Sequence, residues 1–239
     1  MTPRIAAIWV YLATTPLLGL TATLLAYLAA FAIYQRCRFN PLANPVAIAV
    51  ALLVTVLTLT HTPYPTYFEG AQFVHFLLGP ATVALAVPLY QQWPRLRRHA
   101  IPLLGGLLAG SLTAIVSGTG IAMLLGASRT TVLSIAPKSV TTPIAMGIAD
   151  KIGGLPSLTA VLVISTGILG AILATFILNA LRIKDYAVRG FATGVAAHGI
   201  GTARAFQVSD EAGAFAGLGM GLNGVLTPIL VPLLLSLWH

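Results

Sequence analysis

The stretch LTAVLVISTGILGAILATFILNAL, residues 158–181, decides the fold class. It runs 24 residues without Asp, Glu, Lys or Arg, and Arg182 and Lys184 follow directly. A helix rising about 1.5 Å per residue needs roughly 20 residues to cross a hydrocarbon core of about 30 Å, with its backbone amides bonded inside the helix. A transmembrane strand would alternate apolar and polar residues. Leu17–Tyr34 and Pro45–Leu59 are instead mostly apolar on every face, so the spans are helical.

Outward from this stretch the pattern repeats. Residues 5–35, 39–68, 70–94, 99–128, 152–181 and 212–239 all lack a formally charged side chain. The chain is 57% apolar and only 8% charged, against about 25% charged in soluble domains. That excludes an ordinary soluble enzyme. It also excludes a nucleic-acid binder, because the residues behind the net charge of +8 sit in clusters between apolar runs. Arg36 and Arg38 form one cluster, Arg95, Arg97 and Arg98 a second, and Arg182, Lys184 and Arg189 a third, while the loop from His61 to Gly70 has only Glu69. By the positive-inside tendency the clusters are cytoplasmic and the His61 loop is outside. The single Cys37 leaves no intrachain disulfide. The expectation is an all-α polytopic membrane protein with about seven or eight membrane-embedded elements, some of them discontinuous helices compatible with inverted repeats. An extension over residues 1–16 precedes a single transmembrane domain over 17–237.

Three places interrupt the apolar pattern with polar groups. PKSVTTPIA, Pro137–Ala145, puts Lys138 among the hydroxyls of Ser139, Thr141 and Thr142, with Pro137 and Pro143 removing amide donors on either side. A cation inside a bilayer is costly unless paired or solvated, so Lys138 either faces a wet cavity, where it grips a carboxylate, or snorkels to the interface. HGIGTARA, His198–Ala205, offers Gly199 and Gly201 for backbone exposure, the Thr202 hydroxyl, and Arg204 for a bidentate carboxylate contact. The third is the Gly79–Pro80 break with His75 one turn before it. His75 and His198 are candidates for proton coupling, and three such breaks fit a midplane site made of unwound helices. The alternative is that all three are packing kinks. Ser117, Gly118 and Gly120 are expected to interrupt the crossing over 102–126. Asn223 reads as a helix-to-helix hydrogen bond, and the glycines of 213–224 as a tight contact, within the chain or in a homodimer.

Enzyme readings fall away. His75 and His198 lack a metal-ligand set of ordinary spacing, GIGTA follows no strand and so implies no dinucleotide, and Ser117 or Ser139 has no assigned base. No metal, cofactor or catalytic residue is expected.

QFVHFLLGPATVALAVPLY (Gln72–Tyr90), PKSVTTPIAMGIADKIGGLPSLTAVLVISTGILGA (Pro137–Ala171), AAHGIGTARA (Ala196–Ala205) and GLGMGLNGVLT (Gly217–Thr227) resemble the characteristic blocks of the LrgB/CidB family of bacterial membrane proteins. The resemblance runs from about Pro16 to Leu235. It implies a multi-pass protein of the bacterial cytoplasmic membrane and two functions. One is modulation of murein hydrolases and autolysis alongside a small holin-like LrgA/CidA-type partner. The other, through plant relatives that carry glycolate and glycerate, is transport of small carboxylates. By similarity Lys138, Ser139, Thr141, Thr142, His198, Gly201, Thr202 and Arg204 match the family's polar blocks, whereas Phe206, Gln207 and Val208 depart from the more acidic sequence usual there. The leading expectation is a secondary carrier of glycolate, glycerate, lactate or pyruvate, in which Arg204 or Lys138 neutralises the anion.

Overall fold

The computed structural model describes residues 16–236 apart from 78, 79, 81, 82 and 85. The expected Gly79 break and the extension before Pro16 lie outside the described residues. The described residues contain helices and no strand. Among the described residues four helices, at Leu17–Arg36, Ala100–Leu124, Pro156–Ala180 and Asp210–Ser236, are long and apolar enough to cross a membrane. The chain divides into two compact units, Met1–Ala84 and Leu85–His239.

In the first unit α1 (Pro16–Arg36) packs against both α2 (Pro45–Leu59) and α3 (Tyr64–Phe76). Within the described residues α1 opens on Pro16. Gly19 lets α3 come in close, its Cα facing the Tyr67 carbonyl and the backbone of Gly70 and Ala71. The Thr23 and Tyr67 hydroxyls meet there at 2.7 Å. Asn44 starts α2 by accepting from the Val46 and Ala47 amides at 2.9 and 3.1 Å, with Pro45 in the first turn.

The second unit holds α4 (Ala86–Gln91), α5 (Trp93–Arg98), α6 (Ala100–Leu124), α7 (Arg129–Ile135), α8 (Thr142–Ile152), α9 (Pro156–Ala180), α10 (Tyr186–Val208) and α11 (Asp210–Ser236). α6 runs unbroken through Ser117, Gly118 and Gly120, against the sequence expectation. Inside a helix of 25 residues, glycine weakens the backbone without breaking it. α11 likewise continues through Pro228 and Pro232. α6 and α11 run side by side in the same direction. Leu107 shares a core cluster with Phe215 near their N-terminal ends, and Ile115 another with Leu230 and Val231 further along.

Two elements of this unit double back on themselves. Between α7 and α8 lies a linker, residues 136–141. After α8 the chain stops at Gly153, which takes the left-handed φ of 85° that a helix C-terminus favours for glycine. Gly154 then lies against the backbone of Leu133 and Ser134. The Leu155 amide donates to Ser134 Oγ at 2.8 Å, and the Thr159 hydroxyl to the Ser134 carbonyl at 3.0 Å. The linker and α8 therefore leave the end of α7 and come back to it.

α10 is interrupted and reverses at His198, whose φ of 43° and ψ of −134° are not helical. Residues 186–197 run parallel to the start of α11: Gly190 and Gly194 lie against the Ala212 and Ala216 carbonyls, and Gly219 against the Phe191 carbonyl. Residues 199–208 must run back to reach Asp210, and Gly201 accordingly lies against Ala197 and the Thr193 carbonyl. The interruption falls at His198, beside the expected Gly199, and Gly201 is helical.

Candidate functional site

The middle residues of α6, α9 and α11 are 112, 168 and 223, and both doubled-back elements reach this level. From the linker, Ser139 presents its carbonyl to Asn223 Nδ2 at 3.1 Å. From α10, Val195 presents its carbonyl to the same nitrogen at 3.0 Å. The His198 imidazole, 4% exposed, sits against α9, with Nε2 3.0 Å from the Val163 carbonyl. Gly167 and Gly170 make the notch that admits it: a Cβ on Gly167 would meet the imidazole, and one on Gly170 would meet Ala197. The Nε2–carbonyl contact requires Nε2 to carry a proton.

The linker is shaped by its sequence. Ser128 caps α7 by accepting from the Thr131 amide at 3.3 Å. Pro137, fully buried, follows the helix end, and the Lys138 and Val140 amides close turns on the Ile135 and Pro137 carbonyls. Thr141 is the extended residue before α8, and Pro143 stands in that helix's first turn. Pro143 therefore helps start α8, as a residue with a preset φ and no N–H does. Ser139 is buried, while Thr141 and Thr142 are half-buried.

Lys138 is half-buried in this linker. Its stem crosses α6 at Gly118, where a Cβ would lie 2.8 Å from Lys138 Cε. Its Nζ is 3.4 Å from Ser139 Oγ, and among the described residues no carboxylate shares its surroundings. Gly118 stands towards the α7 end of α6, so Lys138 is on that side of the mid-level.

Arg204 is on the other side. It lines a cleft with Thr175 and Leu178 of α9, Tyr186, Arg189 and Thr193 of α10, and Ala212 of α11. Its Nη1 lies 3.4 Å from Gln207 Oε1, whereas Arg189 is bound to Asn179 Oδ1 and the Ile183 carbonyl, both at 2.8 Å. The structure thus brings the linker and the α10 tip together but sets Lys138 and Arg204 on opposite sides of the tips. Thr202, buried, donates to the His198 carbonyl one turn back at 2.8 Å, in the returning arm of the hairpin. Gly199 is half-buried beside Met220, Pro80 is exposed, and His75 belongs to α3 of the first unit.

Sequence reading missed Gly118, Gly167 and Gly170 as shapers of the site. Gly167 and Gly170 lie inside the cleanest apolar span, where small residues were the available signal. Asn223 has the role expected of it, between helices, but at the centre of the unit.

The profile of the LrgB-like family matches residues 23–237, nearly the whole chain. The chain belongs to the LrgB-like family. It is 40% identical over 217 residues to the uncharacterized protein YxaC of Bacillus subtilis, covering 91% of this chain and 94% of that one. It is 30% identical over 200 residues to a holin-like protein CidB of Staphylococcus epidermidis, covering 84% and 87%. The antiholin-like protein LrgB of Bacillus mycoides is 28% identical over 219 residues, covering 92% and 95%. No solved structure matches. As an LrgB-like protein with four such helices, this chain is a membrane protein.

Proposed function

We propose that the protein is a secondary carrier of small monocarboxylates or 2-hydroxycarboxylates, such as glycolate, glycerate, lactate or pyruvate, in the bacterial cytoplasmic membrane. The observation that carries this reading is the meeting of two doubled-back elements, from opposite ends of the second unit, at the middle of three spans. Irregular backbone is tolerated at membrane depth where it is buried in protein or lines a cavity, and carriers build midplane sites from such interrupted helices. Lys138 supplies the fixed cation, without a carboxylate to neutralise it, and Ser139, Thr141 and Thr142 supply hydroxyls beside the first turn of α8. Arg204 and Arg189 form the cationic vestibule on the opposite side. Because the Arg182, Lys184 and Arg189 cluster flanks α10, that hairpin enters from the cytoplasm and the α7–α8 element from outside. The four long spans, the two doubled-back elements, α2 and α3 then make eight embedded elements.

The test is uptake of the four acids into proteoliposomes under an imposed pH gradient. Saturable uptake that Lys138→Met removes is the expected result. No movement of any of them, alongside a working control carrier, overturns the substrate class.

A second reading has its own support in the printed names of the relatives, holin-like for one and antiholin-like for another. In that reading the protein regulates murein hydrolases together with a small LrgA/CidA-type partner. It predicts conductance or partner-dependent hydrolase release without saturable uptake, and a phenotype that survives Lys138→Met and Arg204→Ala.

A further inference from the structure

Asn223 is 1% exposed at the middle of α11, and its side chain spends every hydrogen-bonding capacity it has. Its two amide protons go to the Ser139 carbonyl at 3.1 Å and the Val195 carbonyl at 3.0 Å. Its oxygen accepts from the Ser111 hydroxyl of α6 at 2.7 Å and from the Thr227 hydroxyl at 3.0 Å. A primary amide offers two donors and two acceptor sites, so this set is complete. The two carbonyls belong to the interrupted stretches: Ser139 lies in the linker, and Val195 in the turn before the reversal at His198. A helix interruption leaves such carbonyls without their usual partners, and burial makes an unpaired one costly. One NH2 group therefore satisfies both interruptions and holds them together.

We propose that Asn223 is the positioning residue that fixes the two tips against each other, its amide taking the place between two break carbonyls that a small cation such as sodium takes where such carbonyls face an anionic side chain. Its partial positive charge lies where unwound carbonyls otherwise gather around a coupling ion. The carrier built on it does not require sodium at this level. The transport consequence rests on the carrier reading, while the structural one stands without it.

Asn223→Asp keeps the shape but removes both amide protons and adds a negative charge facing two carbonyls. Asn223→Leu removes all four bonds. Hydrogen–deuterium exchange of the amides of residues 138–141 and 196–201 is measured for the intact wild type and both variants, in sodium chloride and in choline chloride. In choline both variants are expected to exchange at the tips at least about tenfold faster than wild type. In sodium N223D returns towards wild type, because its carboxylate, two carbonyls and two hydroxyls form an all-oxygen set suited to a hard cation, and N223L does not. Wild type is the same in both salts. Ser111→Ala and Thr227→Val, which spare the amide, are expected to leave the tips protected.

Wild-type exchange at the tips of N223D, or exchange raised equally in both salts, overturns the proposal, as does fast exchange in S111A or T227V. In proteoliposomes the same pattern is expected in KM for glycolate: at least about a tenfold rise for N223D in choline, reversed by sodium. If exchange follows the expected pattern while wild type moves no carboxylate, the positioning role stands and the carrier reading falls.

Discussion

The α7–α8 element and α10 both bring the chain to mid-level and back, but the first uses a linker of six residues, 136–141, and the second reverses at the single residue His198. The longer turn is made by prolines. Pro137 and Pro143 bracket it; Pro137, Ser139 and Val140 are buried, while Lys138, Thr141 and Thr142 are half-buried. The one-residue turn is made by backbone that only glycine adopts easily, and it is held in place by glycine notches on both neighbours, Gly167 and Gly170 on α9 and Gly219 on α11. A longer turn with three half-buried polar side chains is suited to receiving a ligand, and a strained one-residue turn closed by a buried imidazole to forming a rigid wall against which the ligand is held.

If that contrast is right, the hairpin should fail first when its glycines gain a side chain. Gly194→Ala pushes a methyl into the Ala216 carbonyl, a backbone atom that cannot move alone. The expected cost is about 3 kcal/mol, read as a fall in thermal unfolding temperature in detergent. A wild-type melting curve would break the parallel packing of α10 on α11.

The next effect separates the two cations. Lys138→Met keeps the stem over Gly118 and removes the charge, and it is expected to lower carboxylate uptake about 100-fold with normal folding. Arg204→Met, in the vestibule, is expected to lower it about tenfold. Equal losses would mean that both side chains contact the anion at one stage of the cycle.

Much of this was legible in the sequence, for reasons particular residues make plain. The uncharged run over 152–181 read as a span, and the crowding of prolines, hydroxyls and Lys138 over 137–145 pointed to an interruption, with a packing kink as the alternative. What stayed hidden was the meaning of glycine. Gly118 and Gly201 looked like breaks, yet both are helical and serve close packing, against Lys138 and against Ala197. A glycine tells that something approaches or that the backbone bends, and only the partner's position decides which. For the same reason the sequence joined Lys138 to Arg204: a list of cations carries no record of which end of a span each one faces.

A smaller effect probes the strain at the tip. His198→Gly and His198→Ala both remove the contact with the Val163 carbonyl. Glycine accepts the φ of 43° without penalty, whereas alanine does not. H198G is therefore expected to be about 1–2 kcal/mol more stable than H198A, measured by thermal unfolding under identical detergent conditions. The same ranking should hold at the tip amides by hydrogen exchange. A reversed order would mean that the imidazole contact rather than the backbone conformation shapes the turn.

The smallest effect tests the other element from its outer face. Gly147 is in the interior of α8, exposed, and a Cβ there would meet nothing within 4 Å. In a helix interior glycine costs roughly 0.5–1 kcal/mol relative to alanine, because it has more backbone freedom to lose on folding. Gly147→Ala is thus expected to stabilise the protein by about that amount and to leave uptake unchanged. The sign is the informative part. Gly190 and Gly194 are glycines because another backbone lies on them, and Gly147 has no such neighbour within its unit. Should G147A lose stability or uptake instead, some surface must lie on α8 during the working cycle, and the α7–α8 turn would share the enclosed character of the hairpin rather than contrast with it.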